Sequence, residues 1–509
     1  MSTGSRIAQN TIFLYIRMIC VMLISLYTVR VVLSALGADD YGIYQTVGGI
    51  VTLLAFVNNA LGTGSSRFLT FELGKGVTEK LKQTFCTLLV AHIIIAIVIL
   101  LIAEIIGMWY ILNHFIVPEG KLIPSIIVFQ FSIITAVMSM TQIPYTAIII
   151  AHENLKIYAY MSLVEVFSKL LIAFFIVITP SDKLELYAFL LCVTQVFVML
   201  LYRIYCYRNY EESHFGRTFV NFKLLRPVIS FSSWSCFASL AISLVNQGSL
   251  IVLNMFFSPA VVAARAIAVQ LHGAAQQLID NFRTAANPQI IKYVAVGEVE
   301  ASQKLLLLST RMAFYLMLLV AIPVIILADP LLNIWLEDVP EYSVAFLQCC
   351  MIQSLFAVFD SSLYTALYAK GQLKQNALLS PTIGFFVVPL AYIFFSVGYS
   401  PLILAYLLVA DYAILGLIIK PILICRIADY KIEDICNMFA RCTLVGIITG
   451  GMVYCSTRNI ICMSYLDIAE VGTISIVINL LIIMTIGLKN QERIMLIQFI
   501  KNKICNKMP

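Results

Sequence analysis

The chain has 509 residues, of which 61% are hydrophobic and 12% charged, with a mean hydropathy of +0.94. Soluble domains carry about 25% charged residues, so this chain cannot clothe a water-facing surface, and a cytosolic enzyme is excluded. Its 33 Lys+Arg against 27 Asp+Glu, a net charge of +6, are too sparse for nucleic acid, and 31 Phe with 25 Tyr exclude disorder; a polytopic membrane protein remains.

The N-terminal MSTGSRIAQN is short and polar. The apolar run behind it is too long for a signal peptide and reads as a first span. Runs of about 20 mostly apolar residues, the length that crosses a bilayer, recur along the whole chain. They lie at 12–36, 43–64, 84–108, 123–150, 158–180, 185–207 and 229–256, then at 260–282, 305–328, 343–369, 378–398, 401–420, 438–456 and 466–488. The longest connection, 203–228, leaves no room for an inserted soluble domain. The 13 cysteines follow no metal-ligand spacing; Cys20, Cys86, Cys192, Cys236, Cys349 and Cys350 sit in apolar runs and read as small buried hydrophobes. No metal, cofactor or catalytic residue is expected.

Basic residues set the orientation. With the N-terminus in the cytoplasm, inner segments hold 25 Lys and Arg, and outer ones hold three, Lys121, Lys183 and Arg458. Lys420, at the end of the twelfth span, counts among the inner residues. Five lie within spans: Arg17, Arg30, Lys169, Arg265 and Arg311. This asymmetry predicts an even number of spans with both termini cytoplasmic.

Features recur about 220 residues apart. Short outer turns, Gly37-Ala38-Asp39-Asp40 and Phe257-Ser258-Pro259, follow the first and seventh spans; Asp39 and Asp40 read as solvated residues capping the second helix. Gln45, Thr52, Asn59, Thr63 and Ser66 share one face of the second span, and Arg265, His272, Gln276, Asp280 and Arg283 share one face of the eighth. A polar face must avoid lipid, so both stripes are expected to line a cavity. The expected architecture is all-α, with about fourteen transmembrane helices. Two six-helix bundles, 1–207 and 229–425, are related by a pseudo-twofold along the membrane normal. A cytoplasmic linker, 208–228, joins them, and 426–509 supplies two extra helices and a basic tail. Parallel repeats of this kind place substrate between the halves and work by alternating access.

Ionisable residues inside a membrane are functional candidates. Arg17 is placed to snorkel inward. Arg30 and Arg265 should lie at similar depth and together offer a cationic surface to an anionic headgroup, whose phosphate oxygens match the guanidinium fork. Gln45, Asn59, His272 and Gln276 complete the candidate substrate wall. Asp360 and Asp411, in the tenth and twelfth spans, are candidate sites for coupling to H+ or Na+. Glu165 and Lys169, spaced i, i+4, form either a self-neutralising pair or a further polar element of the wall. His92 is expected to be neutral and hydrogen-bonded, and Arg311 to snorkel. Gln142 and Pro144 predict a kink in the fourth span. Ser232, Ser235, Ser239, Ser243 and Asn246 run down one face of the seventh, as helix-packing or cavity residues.

The stretch from Asn10 to Gly76, NTIFLYIRMICVMLISLYTVRVVLSALGADDYGIYQTVGGIVTLLAFVNNALGTGSSRFLTFELGKG, resembles bacterial polysaccharide-biosynthesis membrane proteins, the O-antigen and capsule flippases. These are members of the multidrug/oligosaccharidyl-lipid/polysaccharide exporter superfamily. The resemblance implies a V-shaped, MATE-like pair of bundles. It also implies a flippase that moves a polyprenyl-pyrophosphate-linked oligosaccharide, an O-antigen or capsule repeat unit, from inner to outer leaflet. Arg30 and Arg265 fit the cationic cavity of the lipid-linked branch. Helices thirteen and fourteen would form a lipid-tail groove, with Gly446, Gly450 and Gly451 allowing a close approach. Implied partners are that lipid-linked glycan, membrane lipids, H+ or Na+, and other polysaccharide-assembly proteins. The alternatives are a multidrug/cation antiporter of the same fold and a membrane glycan polymerase or polyprenyl-dependent glycosyltransferase. The neutral stripe of the second span disfavours the antiporter. The short outer loops disfavour the enzyme.

Overall fold

The computed structural model describes residues 3–54, 62, 65–66, 68–70, 72–73, 78–152, 154–179, 182–221, 240, 243–295, 297–370, 372, 374–458, 460, 464–489 and 492–494. Among these the regular structure is helical throughout. Numbered in chain order, the helices begin with α1 (Thr3–Leu54), α2 (Thr78–Asn113), α3 (Leu122–Ala151), α4 (Leu155–Ile178) and α5 (Lys183–Asn209). They continue with α6 (Leu244–Phe256), α7 (Pro259–Ala295), α8 (Val299–Ile326), α9 (Ala328–Trp335) and α10 (Ser343–Lys370). The last are α11 (Lys374–Phe385), α12 (Val387–Ser396), α13 (Leu402–Ala428), α14 (Ile432–Thr457) and α15 (Tyr465–Ile482).

Eleven helices among the described residues are long and apolar enough to cross a membrane. The other three expected spans fall outside that set. The first two meet at Gly37, whose φ of 79° and ψ of 170° turn the chain within α1. That backbone conformation suits glycine because it has no Cβ. The seventh is described only from Leu244 onward, and the eighth, α7, is helical but too polar along one face to qualify.

The chain forms two compact units. The first comprises Met1–Ile267, Leu336–Ser343 and Pro381–Leu404; the second comprises Ala268–Trp335, Val344–Ser380 and Ala405–Pro509. In the first, α1 packs along α4, α3 and α5, and α3 packs against α2 and α5. Ile43, Val47, Val128 and Phe129 close one core, and Phe85, Leu88, Ile148 and Tyr202 another. The helix just after the first outer turn touches the second turn here: a Cβ on Gly42 would sit 1.9 Å from the Pro259 carbonyl oxygen. Asp40 is not simply solvated, since Lys121 donates to it at 2.9 Å. In the second unit, α8 packs against α14 and α15. Leu306, Leu363, Leu367, Ile424 and Ile435 make its core.

Large apolar side chains face outward on helix after helix: Ile105 is 73% exposed, Leu171 69% and Ile447 70%. A water-soluble protein does not leave such continuous apolar surface bare. Satisfied helical backbones behind it are what a bilayer requires. The protein is a multi-pass membrane protein.

Candidate functional site

The second unit contains a row of charged and polar side chains on α7, α10, α11 and α13. Its centre is Lys420, 2% exposed, whose ammonium lies 3.1 Å from Asp360 Oδ1. The contact is an ion pair without hydrogen-bond alignment. Lys420 donates instead to Asn376 Oδ1 and, at 3.1 Å, to Ser380 Oγ. Its ammonium also stands 5.4 Å from the centre of the Tyr364 ring, within cation–π range. Charge assistance and four neighbours are what an ammonium removed from water needs.

α13 reaches this geometry through a local change of helix type. Asp411 and Lys420 are nine residues apart, about half a turn out of phase on a regular helix. A π-turn at Leu415–Ile419 absorbs one residue, bringing them to roughly 80°. Both are then buried, Asp411 at 6%. At Gly416 within that turn a Cβ would lie 2.7 Å from the Phe356 carbonyl oxygen. Only glycine lets α13 approach the α10 backbone this closely, one turn before Asp360.

Asp411 Oδ1 is buried without a hydrogen-bond partner among the described residues, and the carboxyl lies close enough to Asp360 for their charges to interact. Arg283 closes the other side of Asp360. It interacts electrostatically with that carboxylate, bridges to Asp280 at 3.1 Å and donates to the Ser361 carbonyl. Further along α7, Gln276 reaches Asp280 at 3.4 Å, and His272 meets Ser354 Oγ at 2.6 Å. The Ser354 hydroxyl donates to the Cys350 carbonyl, so His272 Nδ1–H donates to Ser354. The stripe expected on the eighth span therefore faces α10, from His272 through Arg283.

The first unit holds the other candidates. Arg265, on the opening turns of α7, is 5% exposed among Val262, Ala264 and Ala268, each fully buried. Arg30 and Gln45 are half-buried on α1, on either side of the Gly37 turn, with Gln45 beside the Tyr41 hydroxyl. Asn59, Thr63, Ser232, Ser235 and Ser239 lie outside the described residues. Lys169 donates to Glu165 at 2.6 Å, and both are only partly buried. Gln195 donates to Gln142 at 3.0 Å, and His92 donates from Nδ1 to the Leu88 carbonyl at 2.8 Å.

Three expectations need correction. Lys420 does not lie in an inner loop, because α13 runs on to Ala428 and buries it. Arg311 does not snorkel: it is 6% exposed and paired with Glu492. Gly450 and Gly451 meet only open space, and Gly446 has an ordinary contact at 3.8 Å. Close approach in this part of the fold occurs at Gly487, where a Cβ would lie 3.0 Å from the Tyr315 ring.

Comparison with known proteins follows this geometry. The family model described as "Polysaccharide biosynthesis protein" matches residues 7–294, more than half of the chain. No curated protein matches by sequence. Among solved structures, the lipid II flippase MurJ in an inward closed conformation superposes with a TM-score of 0.70 at 10% identity, covering 93% of this chain and 98% of that one. An inward-facing multidrug resistance MATE family transporter of the MOP superfamily gives 0.68 at 15% identity, covering 82% and 98%. A MOP superfamily transporter from Pyrococcus furiosus Vc1, described by the reverse polarity of its binding pocket, gives 0.59 at 14%, covering 83% and 96%. At these identities the likeness establishes a MATE/MurJ-like fold.

Proposed function

The chain belongs to the polysaccharide biosynthesis protein family, and on that footing we propose that it is a flippase. Its substrate is a polyprenyl-pyrophosphate-linked oligosaccharide, carried from the inner to the outer leaflet of the cytoplasmic membrane by alternating access. The observation that carries this reading is a guanidinium buried in a membrane helix: Arg265, 5% exposed. A buried cation in such a helix is costly and marks a substrate or ion path. Its fork matches a pyrophosphate oxygen pair. Arg30 supplies the second cation from α1, in the same unit as Arg265, and Gln45 beyond the Gly37 turn contributes a hydrogen bond to the glycan. Asp411, with a buried oxygen left unbonded, is the coupling carboxyl for H+ or Na+. Asp360 is held by Lys420. Glu165 and Lys169 neutralise one another.

Arg265→Ala and Arg30→Ala are tested for surface polysaccharide and, after reconstitution, for transfer of defined lipid-linked glycans. Export should fall by roughly tenfold or more for each lost charge-assisted contact, while membrane insertion stays normal. Normal export by both variants removes the cationic site. A cation antiporter of the same fold is favoured by one observation, the buried unpaired Asp411. That reading predicts drug efflux that Asp411→Asn abolishes, with glycan export unaffected.

A further inference from the structure

The second unit also holds an open cavity of about 690 Å³, away from the charged row. It lies between α9, with the end of α8, and the end of α14, with the start of α15. Its floor is apolar: Leu327 is 4% exposed and Val471 1%, with Ile468 beside them. Its rim carries one charge of each sign. Arg458 caps the C-terminus of α14, where a cation is favoured. Among the described residues its guanidinium enters no ion pair or hydrogen bond, so its donors remain open to a ligand. Asp329 stands on α9 and lines the cavity, and the Asn333 amide donates to its Oδ1 at 3.1 Å, which orients the carboxylate and engages one of its two oxygens. Thr457 and Ser464 use their hydroxyls internally, in an α14 back-bond and the α15 capping box. The two charges are therefore the charged groups the lining offers a ligand, with the Tyr454 hydroxyl and the Asn333 side chain beside them.

Apolar side chains mark the depth. Tyr454 is 63% exposed and Leu466 81%, and tyrosine at helix ends collects at the membrane–water boundary. A cation and an anion lining one cavity with an apolar floor, at that boundary, complement a zwitterionic headgroup. We propose that this cavity binds a zwitterionic phospholipid bearing a primary amine. The phosphate takes Arg458, the ammonium takes Asp329, and the first acyl carbons cover Leu327, Ile468 and Val471. A primary ammonium has N–H donors for the carboxylate, and a quaternary one has none, so the site distinguishes the two. The orientation read from basic residues puts it in the outer leaflet, and no part of the site rests on the flippase reading.

The test uses the full-length protein, purified in detergent and stripped of lipid. It is titrated with short-chain phosphatidylethanolamine, phosphatidylcholine and phosphatidylglycerol, with binding followed by native mass spectrometry. Phosphatidylethanolamine should bind most tightly. Arg458→Gln and Asp329→Asn should each weaken it about tenfold, and Asp329→Asn should also erase its advantage over phosphatidylcholine. Ile468→Trp, which fills the floor and leaves both charges, should abolish binding. Equal affinity for the three lipids in the unmodified protein overturns the proposal and needs no variant. A preference for phosphatidylglycerol also overturns it, since that describes a plain cation site. Because no transport is read, failure of the flippase assignment and failure of this site are separately visible.

Discussion

Lys420 is the residue on which the interior of the second unit turns. It is 2% exposed, and its charge is balanced chiefly by Asp360. Removing one partner of a buried pair leaves an uncompensated charge, at a cost of about 3–5 kcal/mol. Lys420→Met should therefore lower the unfolding midpoint sharply, and the double variant with Asp360→Leu should recover most of the loss. An undiminished midpoint in Lys420→Met would show that the pair is not formed. Asp411 predicts a different phenotype, because among the described residues its buried Oδ1 has no hydrogen-bond partner. Asp411→Asn should fold normally and make reconstituted transport insensitive to imposed H+ and Na+ gradients. Full gradient dependence in both Asp411→Asn and Asp360→Asn would end the coupling assignment. The sequence marked both aspartates, because carboxylates in apolar runs stand out. It hid Lys420, because a basic residue after an apolar run looks like the inner flank of a span.

At the scale of the helix, the π-turn in α13 sets the site. It aligns Asp411 with Lys420, and Gly416 lets α13 lie against the α10 backbone. Gly416→Ala sets a methyl 2.7 Å from the Phe356 carbonyl oxygen. Overpacking of this kind typically costs about 1–3 kcal/mol. The expected result is a lower unfolding midpoint, with gradient coupling weakened because Asp411 moves relative to Asp360. Gly450→Ala, whose added methyl meets nothing within 4 Å, is the matched control and should be near neutral. Equal effects at both positions would refute the close approach. Nothing in the sequence separates Gly416 from Gly450; each is a glycine in an apolar run. Only the neighbouring helix distinguishes them.

Across the whole molecule, the distribution of basic residues predicts sidedness, and two native thiols test it. Cys436 and Cys455 are exposed near opposite ends of α14. With either one restored to a cysteine-free background, an impermeant maleimide should label Cys455 in spheroplasts and Cys436 only after permeabilisation. The reverse pattern would invert the topology and make the proposed flipping direction untenable. The same readout applies to Lys121→Cys, on the short segment between α2 and α3, which should label from outside.

By itself the sequence determined the class of protein, the position of nearly every membrane helix, the turn at Gly37 and the polar face of α7. These follow from local rules: hydrocarbon thickness fixes span length, and helical periodicity fixes which residues share a face. Tertiary structure decided which charges meet. Lys420 joins Asp360, Arg311 joins Glu492, and Asp329 and Arg458 line the same cavity. These partners lie 60 or more residues apart in the chain. Pairing over such separations depends on helix packing and on a one-residue change of phase in α13, neither of which leaves a periodic signal in the sequence.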